Sequence, residues 1–206
     1  PSMVYGFWHT DPAARTNDVQ FIFTPASFKR GAHGVLDNYP GFTVAAWQHR
    51  PESTGWVRAR STDPFEKPVI QPNYLAEEED RRITVEAMKL ARQLMGTNSM
   101  KPFFDFEEYP GDQAQTDDEL LEAARHCGST AYHVMGTCRM GPHTDPTTVV
   151  DDQLRVHGVA GLRVIDASIM PTMMSANLNA ATMMIGEKGA DMVLNKPQLE
   201  PIIVPD

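Results

Sequence analysis

The stretch from Tyr132 to Gly141, YHVMGTCRMG, sets a histidine beside a Gly-Thr-Cys turn and an arginine. Imidazole is the side chain whose ordinary pKa best suits proton transfer near neutrality, so His133 is the first candidate for a general base. The other histidines are expected to be surface or packed rings. Further on, Val164 to Thr182 reads VIDASIMPTMMSANLNAAT. Asn177 and Asn179 flank Leu178 just before a helical run, and asparagine is a common N-cap, so one of them is expected to cap that helix. A helix start also offers free amides and partial positive charge, which stabilise an anion at its tip. Asp166 ends a strand-like run, where carboxylates are ordinarily solvated. Met170, Met173, Met174, Met183 and Met184 are expected to pack in a core rather than bind metal.

Several reaction classes are absent from the sequence. It has no GxSxG elbow, HExxH pair, Walker loop or EF-hand pattern, and its glycines never fall at GxGxxG spacing. Cys127, His133, Cys138 and His143 are spaced as a zinc reading would notice, but they lack the close pairs that pre-organise a tetrahedral site, and no metal is expected.

The elements that would carry these residues are legible in the patterning. Strands are expected over Val19 to Thr24, Phe42 to His49 and Trp56 to Ser61, with a turn at 50–55, giving an antiparallel sheet. Four acidic residues, Glu77 to Asp80, open a helix whose Ile83, Ala87, Leu90, Ala91 and Leu94 recur on one face and should cross the sheet. Thr116 and Glu119 form a capping-box signature ahead of a helix over Asp117 to His126, with Leu120, Leu121 and Ala124 as its apolar side. Short strands are expected around 130–134, 154–156 and 162–166. A final helix over Ala180 to Leu194 and a proline-bearing tail over 197–205 would close the chain.

Composition narrows the class further. A chain of 206 residues with 41% hydrophobic content can bury a real core. Its 27 acidic against 18 basic residues give a net charge of −9 with no basic cluster, which excludes nucleic acid and anionic membrane surfaces as partners. No apolar run reaches transmembrane length. Two cysteines without a CxxC pair fit a reducing compartment, with a cytoplasmic setting favoured. The chain opens at Pro1 without a signal pattern, and any targeting segment is expected upstream.

Together, HVMGTCRMG, VVDDQLRVHGVAGLRVIDAS and SANLNAATMMIGEKGADM resemble the C-terminal part of the glucose-methanol-choline (GMC) oxidoreductases, nearest the choline dehydrogenase-like branch. RPESTGWVR from Arg50 to Arg58 and the run from Ser61 to Leu75 resemble that family's substrate-domain sheet and following helix. The resemblance implies a flavoprotein in which an alcohol passes hydride from its carbinol carbon to N5 of FAD while a histidine takes the hydroxyl proton. By position, His133 matches that base and Asn177 the polar residue that steadies the alkoxide. Asp166 and Ala167 match the segment approaching the ribityl and phosphate region. Asn179, Ala180, Ala181 and Thr182 match the helix start at the flavin's pyrimidine edge, and Tyr132 is a cavity wall. The family often has proline where this chain has Val134 and Ala181.

The Gly-rich phosphate loop that holds the ADP half of FAD belongs to the family's N-terminal portion and has no counterpart here. The resemblance therefore implies an N-terminal FAD-binding partner chain, in a split or nicked enzyme, and a small alcohol as substrate. The alternative is a non-catalytic remnant that binds a ligand or partner without turnover. The expected fold is α+β. Residues 1–130 would form a substrate domain, an antiparallel sheet of about six strands backed by helices. Residues 131–195 would form a catalytic and flavin-contacting segment whose strand and helix complete the missing FAD-binding domain, and 196–206 a tail.

Overall fold

A computed structural model describes residues 4–29, 34–197, 200 and 202. The chain forms two compact units, residues 1–131 and 132–206. In the first, β1 (Val4–Trp8), β2 (Val19–Thr24) and β3 (Thr43–Gln48) form an antiparallel sheet in the order β1-β2-β3. Phe21 of β2 lies opposite Gly6 and Ala46, so the period-2 alternation puts Val19, Phe21, Val44 and Ala46 on one face. Helix α1 (Glu78–Met95) covers that face with Ile83, Ala87, Leu90 and Ala91. Each large apolar side chain buried there contributes about 1.5–3 kcal/mol. Leu94 departs from the expected stripe and is exposed, because the last turn of α1 runs past the sheet.

Helix α1 starts without a side-chain cap of its own, and Ser53 takes over part of that work: its Oγ accepts from the amides of Ala76 and Glu77. Helix α2 (Asp117–Cys127) carries the expected capping box in full. Thr116 accepts from the Glu119 amide, and the Glu119 carboxylate accepts from the Thr116 amide. Leu120 is buried with Val85 of α1 and Ala114, joining the two helices. The loop between them is held by Arg92, whose guanidinium donates to both oxygens of Glu107 and to the carbonyls of Gly111 and Ala114.

The expected sheet of about six strands is not found among the described residues. Among the described residues there are three strands in one sheet and two in another, β4 (Trp56–Arg58) and β5 (Val69–Gln71), paired antiparallel with Val57 opposite Ile70. The 50–55 segment does not turn back into the first sheet, because the Glu52 and Ser53 amides donate to the buried Asp80 carboxylate at 2.9 and 2.8 Å and pull the chain to the start of α1. Sequence patterning missed β1, whose aromatics are interrupted by Gly6, and β5, a three-residue strand set between Pro68 and Pro72.

The second unit has little regular sheet. The strands expected at 154–156 and 162–166 are reduced to isolated bridges, Val150 to Val156 and Arg155 to Arg163. No strand forms at 130–134, where Tyr132 has φ +61° and breaks the extended run. The core is built from Val150, Leu154, Ile169, Met170, Leu178 and Ile185. Helix α3 runs over Asn179–Val193, one residue earlier than expected at each end. It approaches the strand-like run before Asp166 so tightly at Gly189 that a Cβ there would lie 2.2 Å from Ile165 Cγ2. The methionines divide: Met170 is buried and Met173 packs against the core, but Met174, Met183 and Met184 are exposed, so core packing does not account for those three. The tail expected over 196–206 lies outside the described residues except at 196, 197, 200 and 202. Among the described residues no helix is long and apolar enough to cross a membrane.

Candidate active site

Main-chain hydrogen bonds decide where His133 sits. After Tyr132 the chain turns through Gly136, whose φ of +80° is open to glycine at little cost. It then runs beside the short 3-10 turn Ala167–Ile169. The amides of Gly136, Cys138 and Met140 donate in turn to the carbonyls of Ala167, Ser168 and Ile169, at 3.4, 2.9 and 2.8 Å. The 3-10 turn is itself started by Asp166, whose Oδ1 accepts from the Ser168 amide at 2.7 Å. One carboxylate oxygen of Asp166 is thus spent on local structure, and the side chain is otherwise exposed.

The same strap leads through Met170 and the 171–176 loop to Asn177. Its amide Nδ2 lies 2.7 Å from His133 Nε2, a contact across 44 positions of sequence. An amide nitrogen can only donate, so in this arrangement the ring nitrogen accepts and the imidazole carries its proton on Nδ1. The two polar residues singled out in the sequence therefore meet directly.

Neither asparagine caps α3. The N-cap position is Leu178, no side chain caps it, and the first turn holds no acidic residue. Helices α1 and α2 differ, since each has three carboxylates in its first turn. The amides of Asn179, Ala180 and Ala181 have no intrahelical acceptor by position, and the positive end of the helix dipole meets no carboxylate from its own first turn. Asn179 Nδ2 lies 3.6 Å from the Met183 sulfur. Ala181 packs against the core of the second unit, and the Thr182 hydroxyl donates back to the Leu178 carbonyl at 2.9 Å. Tyr132 is largely exposed in its left-handed conformation, and Val134 beside the histidine is exposed as well.

The other second-unit histidines are used locally: His157 Nε2 lies 3.1 Å from the Gly141 carbonyl and His143 meets its ring edge-on at 5.2 Å. Sequence reading passed over Gly136 and the 167–169 carbonyls. The Met-Gly-Thr turn carried a signal for the glycine, but nothing marked backbone acceptors that any residue could supply.

A family model described as GMC oxidoreductase matches residues 51–186. Among curated proteins, the mitochondrial choline dehydrogenase of Homo sapiens is 43% identical over 195 residues, covering 94% of this chain and 32% of that protein. The oxygen-dependent choline dehydrogenase of Staphylococcus aureus (strain JH9) is 42% identical over 197 residues, covering 95% and 34%. Among solved structures, pyridoxine 4-oxidase from Mesorbium loti matches with a TM-score of 0.81 at 26% identity, over 96% of this chain and 38% of that one. A formate oxidase from Aspergillus oryzae RIB40 matches with a TM-score of 0.78 at 30% identity, over 88% and 32%. The chain thus spans about a third of the length of the curated relatives it matches.

Proposed function

Because the chain belongs to the GMC oxidoreductases, FAD-dependent enzymes of the alcohol-oxidising type, we propose that it is the proton-handling part of such an enzyme, working with an N-terminal FAD-binding polypeptide. The observation that carries the reading is the 2.7 Å contact between Asn177 Nδ2 and His133 Nε2. An alcohol hydroxyl inserted between the two would replace their direct contact, accepting from the Asn177 amide and donating to the His133 lone pair. His133 would then take the hydroxyl proton as the carbinol carbon gives up its hydride and the carbonyl forms. The Asn177 N–H would stabilise negative charge on the oxygen as that proton leaves. Tyr132 would stand at the cavity wall.

FAD, when bound, supplies the two-electron acceptor for that hydride. The residues present fit it: an uncapped helix start with no carboxylate in its first turn, at Asn179, Ala180, Ala181 and Thr182, suits an anionic ring edge, where the other two helices would repel one. Asp166 and Ala167 would lie along the ribityl and phosphate part of the cofactor. The names of the relatives support a small amino alcohol of the choline type as substrate.

The test is single-turnover reduction of bound flavin by choline in the complex of this chain with its FAD-binding polypeptide. His133→Ala should slow reduction by about 10²–10⁴-fold and Asn177→Ala by about 10²-fold, with flavin content unchanged. Reduction at the original rate in His133→Ala would end the general-base assignment, and no reduction in the parent complex would favour the reading as a binding remnant without turnover.

A further inference from the structure

The strap that carries His133 is held along both of its edges, and the second edge ends on a side chain. On the first edge, the Gly136, Cys138 and Met140 amides donate to the 167–169 carbonyls. On the second, the Arg139 carbonyl accepts from the Val149 amide at 2.8 Å, the Gly141 amide donates to the Val150 carbonyl at 3.0 Å, and Met140 bridges Val150 in parallel. Val150 is fully buried and bridges Val156 as well, so the segments 139–141, 149–150 and 156–157 lie side by side around the core of the second unit. His157 closes this layer twice. Its amide donates to the Val149 carbonyl at 2.9 Å, and its ring Nε2 reaches across to the Gly141 carbonyl at 3.1 Å. A carbonyl oxygen only accepts, so Nε2 carries a proton and His157 is the donor at both points. A doubly protonated ring would donate through the same atom, so the clamp does not depend on the charge of His157. Past Gly141 the chain leaves the layer through the 142–148 turn, and Gly141 lies so close to Thr148 that a Cβ would stand 2.4 Å from its Cγ2.

We infer that His157 is a positioning residue for the His133 and Asn177 pair. By fixing the Gly141 carbonyl it limits how far the strap can shift between its two edges, and so sets how closely His133 Nε2 approaches Asn177 Nδ2. The inference rests on the proton-handling reading above, and His157 acts in it through the backbone rather than on the reacting atoms. The lengths along the first edge point the same way. The bond nearest His133, from the Gly136 amide to the Ala167 carbonyl, is the longest of the three at 3.4 Å, whereas those of Cys138 and Met140 are 2.9 and 2.8 Å. The strap is therefore gripped at the end beside Gly141, where His157 holds it, and is slacker at the end that leads to the imidazole. A misplacement of about 1 Å at a reacting pair costs about 10²-fold in rate, so a clamp that prevents part of such a shift is worth about ten-fold.

The experiment compares His157→Phe and His157→Gln in the complex of this chain with its FAD-binding polypeptide. Phenylalanine keeps a ring to meet His143 edge-on and loses the donor, whereas glutamine returns an amide N–H to the place of Nε2. Single-turnover flavin reduction at saturating choline should be about ten-fold slower in His157→Phe and within about three-fold of the parent in His157→Gln. Flavin content and the choline concentration at half-saturation should stay as in the parent. Carbethoxylation of His133 by diethyl pyrocarbonate, followed by peptide mass spectrometry, reads the pair without turnover. His133 should be labelled several-fold faster in His157→Phe, because its lone pair is less firmly held by the Asn177 N–H, and at the parent rate in His157→Gln. Unchanged labelling in His157→Phe, equally fast labelling in His157→Gln, or parent-rate reduction by His157→Phe overturns the proposal. Loss of flavin from His157→Phe marks a purely structural role and overturns it as well. A parent complex that does not reduce its flavin ends the proton-handling reading, and the labelling comparison then decides the placement of His133 by itself.

Discussion

Asp80 offers the sharpest test of how the first unit is held together. It is a carboxylate 2% exposed in the first turn of α1. Burial pulls its pKa upward, but hydrogen bonds from Ser53, Glu52 and Gln48 outweigh burial and hold it below the usual carboxylate range. In Asp80→Asn one of the two backbone donors, Glu52 or Ser53, must face an amide NH₂ and stays unpaired, which costs about 1–3 kcal/mol. In Asp80→Ala both are orphaned, and the loss rises to about 3–5 kcal/mol, less whatever is regained by not burying a charge. Against a typical total of about 5–15 kcal/mol this is a large fraction. Because the folded pKa is depressed, the stabilisation is fully present above the unfolded value near 4 and is lost as pH falls through the folded one. Urea unfolding followed by circular dichroism at neutral pH and near pH 3 should therefore show a clear gap between the parent and Asp80→Asn that narrows on acidification. Equal stability at neutral pH, or a gap that does not change with pH, would refute the assignment of those donors to a charged acceptor.

Other outcomes follow from the same structure. Removing the capping box with Thr116→Ala should cost about 1 kcal/mol, read from the denaturant midpoint. Gly189→Ala should destabilise by about 1–3 kcal/mol despite its better helix propensity, because the new Cβ meets Ile165; made in an Ile165→Ala background, the same change should cost much less in thermal melts. His49 is buried, and burial followed by the neighbouring Arg50 charge lowers its pKa. The unfolded chain takes up that proton first, so stability should fall as pH drops below about 6.5, by at most about 1.4 kcal/mol per pH unit. Replacing His49 with Gln should flatten that slope in pH-dependent unfolding curves.

The parts of the fold legible in the sequence are those determined by local chemistry. The Thr116 to Glu119 box, the acidic start of α1 and the alternation of Val19 to Thr24 each follow from side chains a few residues apart, and each formed as expected. What failed depended on distant partners. The strand expected over Trp56 to Ser61 stands apart from the main sheet because Asp80 draws Glu52 and Ser53 away, which nothing local announces. Leu94 fits the helical period but lies beyond the edge of what α1 covers. In the site, side-chain identity pointed to His133 and Asn177, whereas the uncapped start of α3 could be known only once Leu178, and neither asparagine, proved to be the N-cap.

The strap between 136–140 and 167–169 bears on how freely this site can drift. Its bonds run from amide to carbonyl, so they themselves make no demand on which side chains stand at 136–140 and 167–169. The change the strap forbids at Cys138 and Met140 is proline, which has no amide hydrogen to give. The contact between His133 and Asn177, 44 positions apart in sequence, is thus kept in register by a ladder that changes of side chain within it leave intact.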